Sequence, residues 1–569
     1  MPSSQNDTRK QQIHDALLAL QRGDSACASA TLKSLIASDP NDPEAWSFYG
    51  IAILKQNQQD GLNALSKACQ LSPLEPRWHL HLGSCLSDVN QLVAAEQALR
   101  KASKLSHNQT SIAITLSQTL QRMGKAKEAV AVLNDTVGRY NEPAAHYQLS
   151  QLYAVQHDYP MAIASLNTAY KGQMMSDKDT LLFARWHLNI KQHALAQQHL
   201  NILLTRQPYH PDATKLAAQL ATWKGDFEYA KTLLKSAFNH HPRDVALMIE
   251  LLLLPGEHDS QIYDLAISTV DKTTTSSQQA ISLLFALSQV ADRNGNFDEA
   301  WNFAKSANQR ASNGLTFDVG LLYQQLDRAL AIYQKSDPCE TRHDKELIYF
   351  LGPPRCGGSL LQNVMAASPS ISSVGERGAL LPYLMPLLEE PHGLSIFKQQ
   401  QQDLQNADIA GLVGFDRHAK TYVDKTTHNT HIAGLISRIH PSAKFVEMQK
   451  NKHDMMLSIF MRNFSGSFPY SFDLNNISQY LDFQAVAINK WKSAGLLMVT
   501  HNHDDFVRQP APHGRALFNA LSFDWDDGFL DPQARRSSVE TFSAMQVRSE
   551  IKAPAQAKSQ QYARFLQHY

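Results

Sequence analysis

Between residues 28 and 234 one spacing recurs almost without error: a small residue, then leucine four positions later. The pairs are Ala28/Leu32, Gly61/Leu65, Ala95/Leu99, Ala129/Leu133, Ala162/Leu166, Ala196/Leu200 and Ala230/Leu234. Successive small residues stand 33, 34, 34, 33, 34 and 34 positions apart. Ala68, Ala102, Ala169 and Ala237 follow their leucines by three, and Pro40, Pro73, Pro208 and Pro242 then break the pattern. Upstream segments such as WSFYGIAIL and WHLHLGSCL supply a first helix for each unit. Each unit is therefore two short amphipathic helices, with alanine or glycine where neighbours touch and proline past the second helix. One such pair cannot bury its apolar face, whereas a stack of pairs can. A chain patterned this way folds as an α-solenoid.

The pattern resembles the tetratricopeptide repeat, a helix-turn-helix of about 34 residues. We assign residues 1–310 to the array, with GNFDEAWNFAKSA (295–307) as a further second helix and a degenerate repeat between 250 and 280. The resemblance implies a concave groove and a peptide or protein partner.

Near residue 310 the texture changes. GLTFDVGLLYQQLDRALAIYQ reads as a bridging helix and SDPCETRHDK as a polar linker, so that residues 311–345 join two domains. Beyond it, the runs LIYFLG, AKFVEM and GLLMVTH read as strands between helical stretches. Strands alternating with helices predict a parallel sheet over 346–569. The fold class is α + α/β, and ligands on such sheets sit beyond the carboxyl ends of the strands.

The first of these strands runs into FLGPPRCGGSLLQNVM (350–365), a strand end, a Gly/Pro loop and a helix start. Amides at Gly357, Gly358, Ser359 and Leu360 would point at an anion, and Arg355 and the Ser359 hydroxyl add donors. The G-K-[ST] ending of a nucleoside-triphosphate loop is missing.

In chain order the second half then reads SSVGERGALL, VDKTTHN, SAKFVEMQKNKHDMMLSIF, YSFDL and TFSAMQVRSEIK. Order and spacing resemble the sulfotransferases that use 3′-phosphoadenosine-5′-phosphosulfate (PAPS), specifically bacterial tetratricopeptide-repeat sulfotransferases related to tyrosylprotein sulfotransferase. The resemblance implies a P-loop-like α/β domain with a central parallel sheet. It implies that Arg355, Cys356, Gly357, Gly358, Ser359 and Leu360 hold the 5′-phosphosulfate, with Arg355 also facing the sulfuryl group. Glu376 takes the place of the base, and Lys425 that of the cation on the bridging oxygen. Lys450 and Ser458 take the place of the 3′-phosphate grip, with Ser543 and Lys558 as further cofactor contacts. Sulfuryl transfer is an in-line displacement that needs alignment and charge stabilisation. No metal is expected. The product would be adenosine 3′,5′-bisphosphate, and the acceptor a hydroxyl of a peptide tyrosine, a carbohydrate or a small molecule.

Several positions depart from the family pattern. Cys356 stands for serine, Gly358-Ser359 for two threonines, Lys450-Asn451-Lys452 for R-D-P, and Ala557-Lys558-Ser559 for G-R-W. Thr426 follows Lys425 where proline is usual. Lysine for arginine keeps charge but loses the bidentate fork, worth about 1–2 kcal/mol of cofactor binding. A weak or inactive domain on a repeat scaffold is the alternative reading. Two other chemistries fail on residue identity. A phosphatase-like use of Cys356 needs an arginine where Gln362 stands. A metal-hydrolase use of His501, His503 and Asp505 needs a histidine where Phe506 stands.

Lysine plus arginine (53) equal aspartate plus glutamate (53), so nothing global favours nucleic acid. The most apolar run, LMIELLLLPG, is too short for a membrane span. The start lacks a secretory pattern, and five unpaired-looking cysteines suit a reducing compartment. The expected location is cytoplasmic.

Overall fold

The computed structural model describes residues 2–156, 158–256, 259–272, 277–341, 343–415, 418–464, 468–532, 551–552 and 556–569. The chain divides into two compact units, Met1–Gln207 and Pro208–Tyr569.

The first unit is six helical pairs. They are α1 (Pro2–Gln21) with α2 (Ser25–Ser38), α3 (Pro43–Ile53) with α4 (Gln58–Leu71), and α5 (Pro76–Asp88) with α6 (Leu92–Leu105). Then come α7 (Thr110–Arg122) with α8 (Ala126–Tyr140), α9 (Pro143–Val155) with α10 (Tyr159–Tyr170), and α11 (Asp177–Asn189) with α12 (His193–Arg206). The repeat register has a local cause. The residue four before each aligned small position is the N-cap of the second helix, and Asp24, Asn57 and Asp158 there accept an amide hydrogen bond within the first turn. Ala28, Ala95, Ala129, Ala162 and Ala196 are wholly buried, as are their partner leucines. At Gly83 a Cβ would lie 2.5 Å from Leu99 Cγ, so α5 and α6 meet this closely only with glycine. Pro40 and Pro73 each stand two residues past a helix end.

In the second unit the repeat register continues through α13 (Pro211–Lys224) with α14 (Phe227–His240), α15 (Val245–Leu253) with α16 (Ser260–Thr269), and α17 (Ser277–Arg293) with α18 (Phe297–Ala311). The degenerate stretch is thus a shortened pair. Ala266 holds the small-residue position, fully buried, 36 residues after Ala230 and 34 before Ala300. Helix α19 (Val319–Lys335) follows.

The sheet contains β1 (Glu346–Leu351), β2 (Ile371–Gly375), β3 (Thr421–Asp424), β4 (Lys444–Gln449) and β5 (Val499–Asn502). Its order is β2-β3-β1-β4-β5 and every pairing is parallel. The connecting helices are α20 (Gly358–Met365), α21 (Leu381–Leu387), α22 (Gly393–Phe415), α23 (Asn429–Ile439), α24 (Lys452–Phe460) and α25 (Leu474–Ser493). Helices α26 (His503–Arg508) and α27 (Pro510–Ala520) close the domain. β1 and β3 are buried on both faces, as helix-covered parallel strands must be.

The chain leaves β1 toward β2 on one side and later reaches β4 on the other, so the switch point lies between β1 and β4. The core under the sheet is continuous with Ala291, Ala300, Trp301 and Ala304 of α17 and α18. The last helical pair and the sheet share one interior. No helix among the described residues is long and apolar enough to cross a membrane.

Candidate functional site

Each of the five parallel strands delivers one polar side chain just past its carboxyl end. Arg355 follows β1, Glu376 follows β2, Lys425 follows β3, Lys450 follows β4 and His503 follows β5. Parallel strands align all their carboxyl ends on one edge, so five residues spread over 149 positions converge there.

The loop after β1 is tight. Arg355 and Gly357 adopt left-handed backbone, φ 69° and 96°, which costs a non-glycine residue about 1–2 kcal/mol. At Gly357 any Cβ would collide with the His503 ring, so the position demands glycine twice over. Helix α20 starts at the next residue and aims its first amides back over the loop. The loop's first amide, Gly352 N, donates to Thr430 Oγ1 at 3.0 Å.

Arg355 turns inward, and its Nε donates to Ser458 Oγ at 2.7 Å. Burial lowers its pKa from the usual arginine value. Lys450 is lowered too, by burial and then by the Arg355 charge, which places the two cations together. The Cys356 thiol is buried and its pKa is raised by that burial, so it is not a thiolate nucleophile.

Glu376 and Lys425 meet as an ion pair, the lysine side chain 8% exposed and the glutamate 52%. Lys425 lies over Gly358, so the pair sits at the mouth of the loop. Its backbone is fixed from both sides. Lys425 N donates to Gly375 O at 2.9 Å, and buried Asp424 accepts from Thr426 N at 2.8 Å. Arg377 fastens the turn bearing Glu376 to α22 through Asp408, at 2.5 Å.

Lys558 lies in a short helical turn, Lys558–Gln561, where its ammonium pairs with Asp292 of α17. Ser543 lies outside the described residues.

Two side chains of the site escaped the sequence reading, and a third entered it only as part of a metal motif. Arg462 stands one helical turn beyond Ser458, a spacing that could have flagged it. Its pKa falls to about 10, chiefly through burial and then through the Arg355 charge. His428 neighbours Glu376, whose charge partly offsets the lowering that burial imposes. His503 belongs to the run weighed above as a metal motif. Its neighbours have structural uses: Asp504 accepts the Asn451 amide at 2.8 Å, and Asp505 pairs with Arg508 at 3.0 Å. The strand reading needs one correction. GLLMVTH was read as a strand, yet β5 starts only at Val499, because Leu496 packs into the core as loop and Leu497 is 87% exposed.

Burial holds three histidines of this unit neutral: His431 at about 3, His501 at about 4 and His503 at about 3. The unfolded chain protonates them near 6.5, so between pH 6.5 and 4 it binds protons that the folded state refuses. Stability therefore rises with pH across that window and is lost on acidification, at about 1.4 kcal/mol per pH unit per histidine. Urea titrations at pH 7 and 5 should show the second unit markedly weaker at pH 5; equal midpoints would contradict the burial assignments.

The edge carries a glycine loop with its helix start, a half-buried cationic group of Arg355, Lys450 and Arg462 behind it, and a carboxylate–ammonium pair at its mouth. It can bind a ligand bearing two separate anionic groups, with one carboxylate available to a proton.

Residues 348–527 match the sulfotransferase family. An uncharacterized protein of Aquifex aeolicus (strain VF5) is 21% identical over 523 residues, covering 86% of this chain and 68% of that protein. Among solved structures, a Pseudomonas aeruginosa PilF structure is 18% identical, covers 38% of this chain and 99% of its own, and superposes with a TM-score of 0.32. The C-terminal part of a tetratricopeptide-repeat protein from Cytophaga hutchinsonii is 15% identical, covers 42% and 99%, and gives a TM-score of 0.37.

Proposed function

From a chain that joins tetratricopeptide-type helical pairs to a sulfotransferase-family domain, we propose that the protein transfers a sulfuryl group from PAPS to a hydroxyl acceptor. The observation that carries this reading is the convergence of two anion-binding elements at the β1/β4 switch point. The loop amides and Arg355 suit the 5′-phosphosulfate, and Lys450, Ser458 and Arg462, next to Arg355, form a second cationic centre suited to the 3′-phosphate. A triphosphate loop would need a lysine after its glycines, whereas here the lysine over the loop comes from β3.

The reaction asks little covalent chemistry of the protein. Acceptor oxygen attacks sulfur in line, the S–O bond to the 5′-phosphate breaks, and adenosine 3′,5′-bisphosphate leaves. Arg355 and Lys425 stabilise charge on the bridging and equatorial oxygens. Glu376 takes the acceptor's proton once Lys425 turns to the donor, which frees the carboxylate from its pair. A half-exposed Glu376 is open to an acceptor arriving from solvent. A peptide tyrosine held by the helical array, a carbohydrate and a small metabolite all satisfy that chemistry. Ser543 and Lys558 remain proposed cofactor contacts, and the cytoplasm the proposed location.

Calorimetry with adenosine 3′,5′-bisphosphate tests the donor site. Arg355→Ala and Lys450→Ala should each weaken binding by about 10- to 100-fold, the worth of a charged hydrogen bond. Affinities that ignore both substitutions would exclude this edge of the sheet as the donor site.

A further inference from the structure

Four consecutive residues just beyond Ser458 are each held by a side chain from the last helical pair. Asn308 Nδ2 donates to Phe460 O at 2.8 Å, and Ser288 Oγ approaches Met461 Sδ at 3.8 Å. Arg462 donates to Gln289 Oε1, and Asn463 Nδ2 donates to Ser282 Oγ at 3.2 Å. Asn308 and Ser288 are buried, and Ser288 and Gln289 are neighbours on α17.

The grip on Arg462 differs in kind from packing. Among the described residues Arg462 forms no ion pair, and its hydrogen bond goes to a neutral amide. Gln289 cannot swing freely, because its own Nε2 donates to Phe285 O at 3.4 Å, which turns Oε1 toward the guanidinium. Arg462 is thus a half-buried cation, aimed by a fixed neutral acceptor, beside the Arg355 charge. Cations so placed repel one another until an anion joins them. A carboxylate in place of Gln289 would neutralise Arg462 and compete with that anion; an amide orients it and leaves its charge available.

We propose that Gln289, a residue of the helical array, is a positioning residue of the donor site: it sets Arg462 at the nucleotide's 3′-phosphate. Selectivity for a 3′-phosphorylated nucleotide then depends on the last helical pair as well as on the sheet. This inference rests on the donor reading above and adds where its 3′-phosphate selectivity comes from.

The test compares two nucleotides on the full chain by calorimetry: adenosine 3′,5′-bisphosphate, and 5′-AMP, which lacks the 3′-phosphate. Gln289→Ala should weaken the bisphosphate about tenfold and leave 5′-AMP within about twofold. Gln289→Glu, nearly the same shape, should weaken the bisphosphate further by pairing with Arg462, and it serves if the alanine variant folds poorly. Equal losses for both nucleotides would show a merely structural contact and overturn the proposal, as would unchanged bisphosphate affinity in both variants. Absence of bisphosphate binding by the unsubstituted chain would instead remove the donor reading, and this inference with it.

Discussion

Glu376→Gln should reduce sulfuryl transfer by about 10²- to 10⁴-fold, the usual worth of a positioned general base. Affinity for adenosine 3′,5′-bisphosphate should stay within about threefold, because the bisphosphate carries nothing for this carboxylate to bind. The amide keeps the shape of the turn and can still accept from Lys425, so the ammonium stays partnered. What it loses is basicity. Transfer of labelled sulfuryl groups from PAPS, measured beside calorimetric affinity, separates the two quantities. If turnover survives, the proton goes elsewhere. His428 would be the neighbour to examine, since burial keeps it neutral and Glu376 lies close by.

The second large effect is structural and reaches the site. Trp491→Ala should cost the second unit about 3–5 kcal/mol, as truncation of a buried large aromatic does. Trp491 is fully buried, stacks edge-on against Tyr333 at 5.7 Å, and its Nε1 donates to Thr430 O at 2.7 Å. Thr430 in turn receives the Gly352 amide through its hydroxyl, so the indole braces the start of the anion loop through one residue. Bisphosphate affinity should therefore fall along with the unfolding midpoint. Trp491→Phe keeps most of the ring and drops the hydrogen bond, for a cost of about 1–2 kcal/mol. A Trp491→Ala variant as stable as the parent chain would refute this view of the core.

The array was legible because its signal is periodic. A buried alanine four residues past an N-cap and a leucine one turn later recur too regularly for unrelated helices. The shortened pair at 245–269 keeps only a buried alanine, Ala266, which stands seven residues past its N-cap Asp259 and is followed one turn later by Val270, so the pattern is lost there. In the sheet, β1 and β4 announced themselves through apolar runs. β2 and β3 are only 5 and 4 residues long, and β2 carries two half-buried serines, so neither reads as a strand by pattern. Both nonetheless run directly into motif residues, Glu376 and Lys425, which the resemblance picked out. Arg462 and His428 went unread, and His503 was read only as part of a metal motif, for a common reason: each matters through neighbours distant in sequence. His503 meets Gly357 across 146 positions, and Arg462 meets Gln289 across 173. Lys558, a cofactor contact by resemblance, pairs its ammonium with Asp292, in the helix that also holds Arg462 through Gln289.

On the proposed function, the loop after β1 serves a nucleotide carrying 5′ and 3′ anions, not a triphosphate. Competition calorimetry with adenosine 3′,5′-bisphosphate and ATP, on the unsubstituted full chain without added metal, tests it most directly. The bisphosphate should bind with a dissociation constant of about micromolar, and ATP at least about tenfold more weakly. No heat from the bisphosphate at millimolar concentration, or ATP binding the tighter of the two, would contradict it.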